Sequence, residues 1–231
     1  MGQLVRVARI QLVNAFSVLV LPLVIVASIL VGNLLISMIN NTEGGEGFVT
    51  GGFLSLYVIM LAVHLQTMTQ MFPFALGLSV TRKAFFGATT LVVLGQAAGY
   101  GLLLTVGRFV EEATDGWGVQ LTFLALPFLT HDNVLLQFLV YTVPLVTLSF
   151  LGVWFGIVFK RWGQYGAWTL GISLGVLLFG VGWIITWQDW WDAVGRFFAS
   201  QPVIVLQAGY PTVLALLFAG AAYLTTRRAV P

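Results

Sequence analysis

Residues 72–94 read FPFALGLSVTRKAFFGATTLVVL. Two apolar runs meet there around a pair of adjacent cations, Arg82 and Lys83. The chain has only ten Lys and Arg in 231 residues, so a side-by-side pair is a signal in itself. Read as a turn between two membrane helices, the stretch sets the phase for everything on either side. Pro73 is expected to end the helix before the turn, and Ser79 or Thr81 to cap the helix after it. Two cations at a helix N-terminus oppose the helix dipole by roughly 0.3–1 kcal/mol each. Either topology or a partner must therefore want them there.

Composition makes lipid the solvent. Hydrophobic residues form 59% of the chain and charged residues 8%, against about 25% charged in a soluble domain. The mean hydropathy is +0.98. A soluble fold of this size has too little polar surface to cover so much apolar area. With no cysteine, disulfides, thiol catalysis and zinc-thiolate sites are excluded. A net charge of +2 with no basic run longer than two residues is no nucleic-acid footprint.

Working outward from residues 72–94, apolar runs predict an all-α polytopic membrane protein, one domain over 1–231. Six spans fall at about 16–38, 53–72, 84–107, 134–159, 165–187 and 205–226. Each has roughly the 20 residues that cross ~30 Å of hydrocarbon. They must be helices, because lipid offers the backbone no partners. The run that begins at Phe16 is too long for a signal-peptide core and reads as a retained helix.

Charge is an independent check on those spans. Arg6, Arg9, Arg82, Lys83, Lys160, Arg161, Arg227 and Arg228 all fall on one side. The positive-inside rule makes that side cytoplasmic, with both termini inside. Glu43, Glu46, Glu111, Glu112, Asp115, Asp132, Asp189 and Asp192 fall on the other, with Arg108 and Arg196 as the basic exceptions. No Asp, Glu, Lys or Arg is expected in mid-span, which weakens an ion-coupled pump and leaves His64 as its one candidate.

The outer loops differ in kind. NNTEGGEGFVTGG is a Gly-rich turn. EEATDGWGVQLTFLALPFLTHDN has an apolar middle expected to lie at the interface. In WQDWWDAVGRFFASQPVIV, residues Trp187, Trp190, Trp191, Val194, Phe197 and Phe198 recur at helical spacing while Asp189, Asp192 and Arg196 face elsewhere. That pattern predicts an amphipathic or re-entrant segment resting on or dipping into the outer leaflet before the last helix.

Candidate chemistry is sparse. No G-x-x-x-x-G-K-[ST] is present, so the chain cannot cradle ATP alone, and no metal or cofactor is expected in it. GISLG, residues 171–175, matches G-x-S-x-G around Ser173, but that motif works on a strand-to-helix turn and here lies in an apolar helix. The same residues spell G-x-x-x-G, as do Gly95–Gly99 and Gly152–Gly156, and all three read as close helix contacts. The polar cluster HLQTMTQM holds His64, Gln66, Thr67, Thr69 and Gln70. Gln66 and Gln70 share one face, His64 and Thr67 a neighbouring one. These are interhelical hydrogen bonds or the lining of a path.

The segment FPFALGLSVTRKAFFGATTL, with the six-span topology, resembles the permease subunit of bacterial type-2 ABC exporters. Pro73, Gly77, Ser79, Arg82 and Lys83 carry the resemblance. It implies that Phe74, Leu76, Gly77, Leu78, Ser79, Arg82 and Lys83 form a loop that couples to a separate P-loop ATPase. It also implies that ATP and Mg are bound in that subunit, and that a second permease copy or homologue completes the path in the bacterial cytoplasmic membrane. An N-terminal amphipathic helix, 3–14, is implied too. The alternatives are a polytopic protein that needs no ATPase, such as a passive transporter or an immunity-type protein, and an intramembrane hydrolase using Ser173.

Overall fold

The computed structural model describes residues 2–13, 15–42 and 47–227; Asn14, Glu43, Glu46 and Arg228 lie outside them. Among the described residues the chain is all-α apart from one two-residue strand pair. Helix α1 is Gly2–Gln11. Helix α2 opens as a π-helical turn, Phe16–Val20, and continues as Leu21–Thr42. Helix α3 covers Gly52–Gly77 and α4 covers Arg82–Ala113. Helix α5 is Val134–Trp187, α6 is Trp191–Ser200, and α7 is Val205–Arg227 with a π-helical start at Val205–Gly209. Five of these, α2, α3, α4, α5 and α7, are long and apolar enough to cross a membrane.

Helix α5 has 54 residues, about 80 Å at 1.5 Å each and more than twice the hydrocarbon thickness. It leaves helical geometry at Gly163, whose φ of 67° and ψ of −159° suit a residue without Cβ. The break falls in the stretch that separates the fourth and fifth apolar runs of the sequence.

Three π-helical turns share a cause. Those at Phe16–Val20, Thr67–Met71 and Val205–Gly209 each end two residues before a proline, Pro22, Pro73 and Pro211. A proline has no N–H, and its ring crowds the carbonyl four residues back. Widening the helix just before it relieves that clash without ending the helix. The expectation that Pro73 ends its helix is thereby corrected: α3 continues through it to Gly77. Where Pro22 leaves the Val18 carbonyl without its helical donor, α4 supplies one. Gln96 Nε2 donates to Val18 O at 2.6 Å, and Tyr100 Oη donates to Leu19 O at 2.8 Å.

The core lies between α3, α4 and residues 134–162 of α5. One cluster, around Phe53, Met60, Tyr100, Leu121, Phe123 and Tyr141, occupies one end. A second, around Val7, Phe72, Phe85, Val93, Phe150 and Ile157, occupies the other and seats α1. Gly152 and Gly156 let α5 close on α3. A Cβ at Gly152 would overlap the Leu61 carbonyl, and one at Gly156 would sit 2.7 Å from the Leu65 carbonyl. Around Gly95, Gly99, Gly171 and Gly175 nothing lies within 4 Å of such a Cβ. Of the three G-x-x-x-G pairs, one is a helix contact within the chain and two are open.

The outer-loop expectation also changes. Leu121, Phe123, Leu124 and Leu126 are buried in the core rather than laid on the surface. Strand β1, Phe48–Val49, pairs in parallel with β2, Leu121–Thr122, and so joins two loops far apart in sequence.

Candidate functional site

The turn at residues 78–81 is built by local chemistry. Thr81 caps α4, its Oγ1 accepting from Ala84 N at 3.2 Å. Ser79, with φ of 60°, takes the left-handed position, so the reversal is made there and not at Gly77. Phe74 and Leu78 are exposed, 56% and 54%, whereas Leu76 packs against the second core cluster. The apolar set expected on this elbow therefore splits into two surface residues and one inward anchor. Arg82 is tied across the bundle: its Nη1 donates to the Arg227 carbonyl at 3.0 Å. Lys83 is exposed beside it. Arg161 and Arg227 border one hollow, so cations from α4, α5 and α7 gather at one end of the bundle.

In α3, His64 and Thr67 are buried while Gln66 and Gln70 lie on the chain's exposed surface. The face division expected from their spacing is present. Neither ring nitrogen of His64 has a hydrogen-bond partner. Gln66, Thr67 and Gln70 border a cleft of about 80 Å³ with Gln11, Ser17 and Val18 from α1 and α2. On its far side Gln11 Nε2 donates to Thr89 Oγ1 at 2.9 Å, while its Oε1 has no partner. Thr69 Oγ1 bonds back to the Leu65 and Gln66 carbonyls of its own helix.

Helix α6 forms where the aromatic spacing predicts one. Trp187, Trp190, Trp191, Phe197 and Phe198 are all exposed, and the Phe198 ring meets Tyr210 of α7 edge-on at 6.4 Å. Ser173 is exposed on α5 and borders an open groove with Trp154 and Thr225. His64 lies buried and His131 bonds to Gln207, and neither histidine shares a hydrogen bond with Ser173 among the described residues.

One cluster escaped the sequence reading. In the last turns of α4, Arg108 and Glu111 are 3% and 2% exposed. Glu111 accepts from the backbone N–H groups of Phe123, Leu124 and Ala125 at 2.9–3.1 Å and from Trp117 Nε1 at 2.9 Å. Arg108 donates to Glu112 at 2.6 Å, to the His131 carbonyl at 2.7 Å and to Gln137 Oε1 at 3.3 Å. His131 Nε2 lies 2.6 Å from Gln207 Oε1, which carries the network to α7. Arg108 and Glu111, which read as loop charges, form a buried knot that fastens the 114–133 loop. The signal available in sequence was Arg108 itself, one of the two cations, with Arg196, that break the charge division.

Compared with family models, curated proteins and solved structures, the chain matches none.

Proposed function

We propose that this chain is the membrane-spanning subunit of an ATP-driven exporter, paired with a second copy or homologue and driven by a separate P-loop ATPase. The carrying observation is the elbow at residues 74–83. It presents Phe74 and Leu78 to solvent beside Lys83, on a backbone held by the Thr81 cap and by Arg82 bonded to the last helix. An apolar pair on a rigid, basic elbow is what a docking surface for an acidic groove requires. On this reading α5 crosses twice, reversing at Gly163, which makes six spans. The basic end with both termini is cytoplasmic. ATP and Mg belong to the partner, and Gln66 and Gln70 face the path or the seam between copies.

The test uses the tagged full chain drawn from its own membrane together with whatever P-loop ATPase accompanies it. Phe74→Ser with Leu78→Ser keeps every charge and spares the inward Leu76. It should leave insertion and orientation unchanged and abolish stimulation of the ATPase in liposomes. Normal stimulation in that variant, or the absence of a stoichiometric P-loop protein with the wild-type chain, would sink the proposal.

A further inference from the structure

We propose that the basic end of the bundle holds an anionic phospholipid, its phosphate on Arg161 and Arg227 and its acyl chains in the groove between α5 and α7. The groove is about 590 Å³ and is lined by Trp154, Trp162, Tyr165, Thr169, Ser173 and Thr225. A second hollow of about 440 Å³ is lined by Arg161, Leu224, Thr225 and Arg227. Thr225 borders both, so an aromatic trough and a cationic pocket adjoin. Each is of the size that takes a ligand of ~300–1,000 Å³.

The two arginines are held and left uncompensated. Arg161 lies over the Trp162 ring at 4.2 Å and Arg227 over the Tyr223 ring at 5.8 Å. These cation–π contacts hold the guanidinium groups beside the rings. The Arg108–Glu112 ion pair lies at the other end of α4, and among the described residues neither Arg161 nor Arg227 has a carboxylate partner. A planar fork of donors suits phosphate oxygens in a bidentate way. Basic pockets between membrane helices recognise anionic head groups by this chemistry.

Each half of the site rejects a simpler occupant. A soluble phosphate would satisfy the arginines and leave the aromatic trough empty. A neutral or zwitterionic lipid would fill the trough and leave two cations without a net counter-charge. An anionic amphipath from the surrounding leaflet satisfies both. The inference stands apart from the exporter reading, because it needs neither an ATPase nor a second copy.

The experiment is native mass spectrometry of the full chain in neutral detergent, with dioleoyl phosphatidylglycerol and dioleoyl phosphatidylcholine supplied at equal concentration. Wild type should retain the glycerol lipid roughly 10- to 30-fold over the choline lipid, the preference expected of two surface cations. R161Q/R227Q should bring the ratio to about one. Thr169→Trp keeps both cations and fills the trough, and it too should lower retention of phosphatidylglycerol. Inorganic phosphate should not displace the lipid. Equal retention of the two lipids by wild type, an unchanged preference in R161Q/R227Q, or displacement by inorganic phosphate would each overturn the proposal. Should R161Q/R227Q not fold, Thr169→Trp decides alone: unchanged retention in it overturns the proposal.

Discussion

Helix α5 is two helices in one chain segment, and its halves live in different surroundings. Residues 134–162 carry buried positions from Gln137 to Val158 and close on α3 through Gly152 and Gly156. Past Gly163 no residue is buried up to Trp187, and Tyr165, Trp168, Leu178 and Phe179 are exposed by 60% or more. Both halves are comparably apolar and both contain a G-x-x-x-G pair. The difference teaches that in lipid, hydrophobicity does not select the interior; small residues and close backbone approach do. An apolar helix can be content in hydrocarbon, so burial must be won by shape.

Leucine at each pair should expose that difference at its largest. Gly152→Leu forces a side chain into the Leu61 backbone, which cannot retreat as a flexible side-chain tip can. A loss of about 3 kcal/mol or more is expected, seen as a lack of monodisperse protein in detergent. Gly171→Leu meets nothing within 4 Å and should leave the melting temperature of the isolated chain within error. If the second half of α5 is a seam between copies, that same variant should lower self-association in cross-linking while the monomer stays folded. Equal damage from the two substitutions would end the comparison.

How much of this was legible in the sequence depended on whether the signal was local. The apolar runs and the break between the halves of α5 were visible, because lipid thickness imposes a length. The elbow was visible through Thr81 and the cation pair. Pro73 misled: it reads as a stop, yet the π-helical turn before it lets α3 run on to Gly77. Leu76 could not be told from Leu78, since which one packs inward depends on α1 and α4. The loop at 114–133 read as an interface segment because its partner, Glu111, lies on another element and looks like one more surface acid. Gln96, alone in a run of Gly and Ala, carries no local mark of its role, although Pro22 implies that Val18 O needs a donor from somewhere.

A second comparison sits within one helical turn. Glu111 and Glu112 are neighbours in sequence, one buried with N–H donors on both oxygens, the other exposed and paired to Arg108. The clamp on Glu111 holds a run of left-handed residues, Asp115, Gly116, Trp117, Gly118 and Gln120, a conformation that persists only when its surroundings enforce it. Glu111→Gln turns an amide group toward backbone donors and should cost roughly 2–4 kcal/mol. Glu112→Gln keeps an acceptor for the buried Arg108 while removing its counter-charge, and should cost less, roughly 1–2 kcal/mol. Thermal unfolding of both in the same detergent checks this, together with proteolysis of the 114–133 loop, which should quicken only in Glu111→Gln. A penalty for Glu112→Gln as large as that for Glu111→Gln would show that the salt bridge, not the clamp, fastens the loop.

The smallest expected effect tests why α2 belongs to the bundle at all. Its best apolar window is only 11% buried, so little packing holds it. Leu23, Val26, Ile29, Leu30 and Leu34 lay one edge of it on the first core cluster, and polar bonds reach across as well: Gln96 Nε2 on Val18 O, Tyr100 Oη on Leu19 O and Ser37 Oγ on Val119 O. Gln96→Leu should cost about 1 kcal/mol, the usual size of an interhelical hydrogen bond in lipid. The cause proposed here is that Pro22 denies Val18 O its own helical donor. Pro22→Ala restores an N–H at that position, and the carbonyl can then be satisfied within α2. The cost of Gln96→Leu should therefore shrink in the Pro22→Ala background, by roughly half or more of its value alone. A double-mutant cycle on melting temperature reads the coupling. If the two substitutions simply add, Gln96 holds α2 for a reason unrelated to the proline, and the link between the π-helical turn and its borrowed donor is wrong.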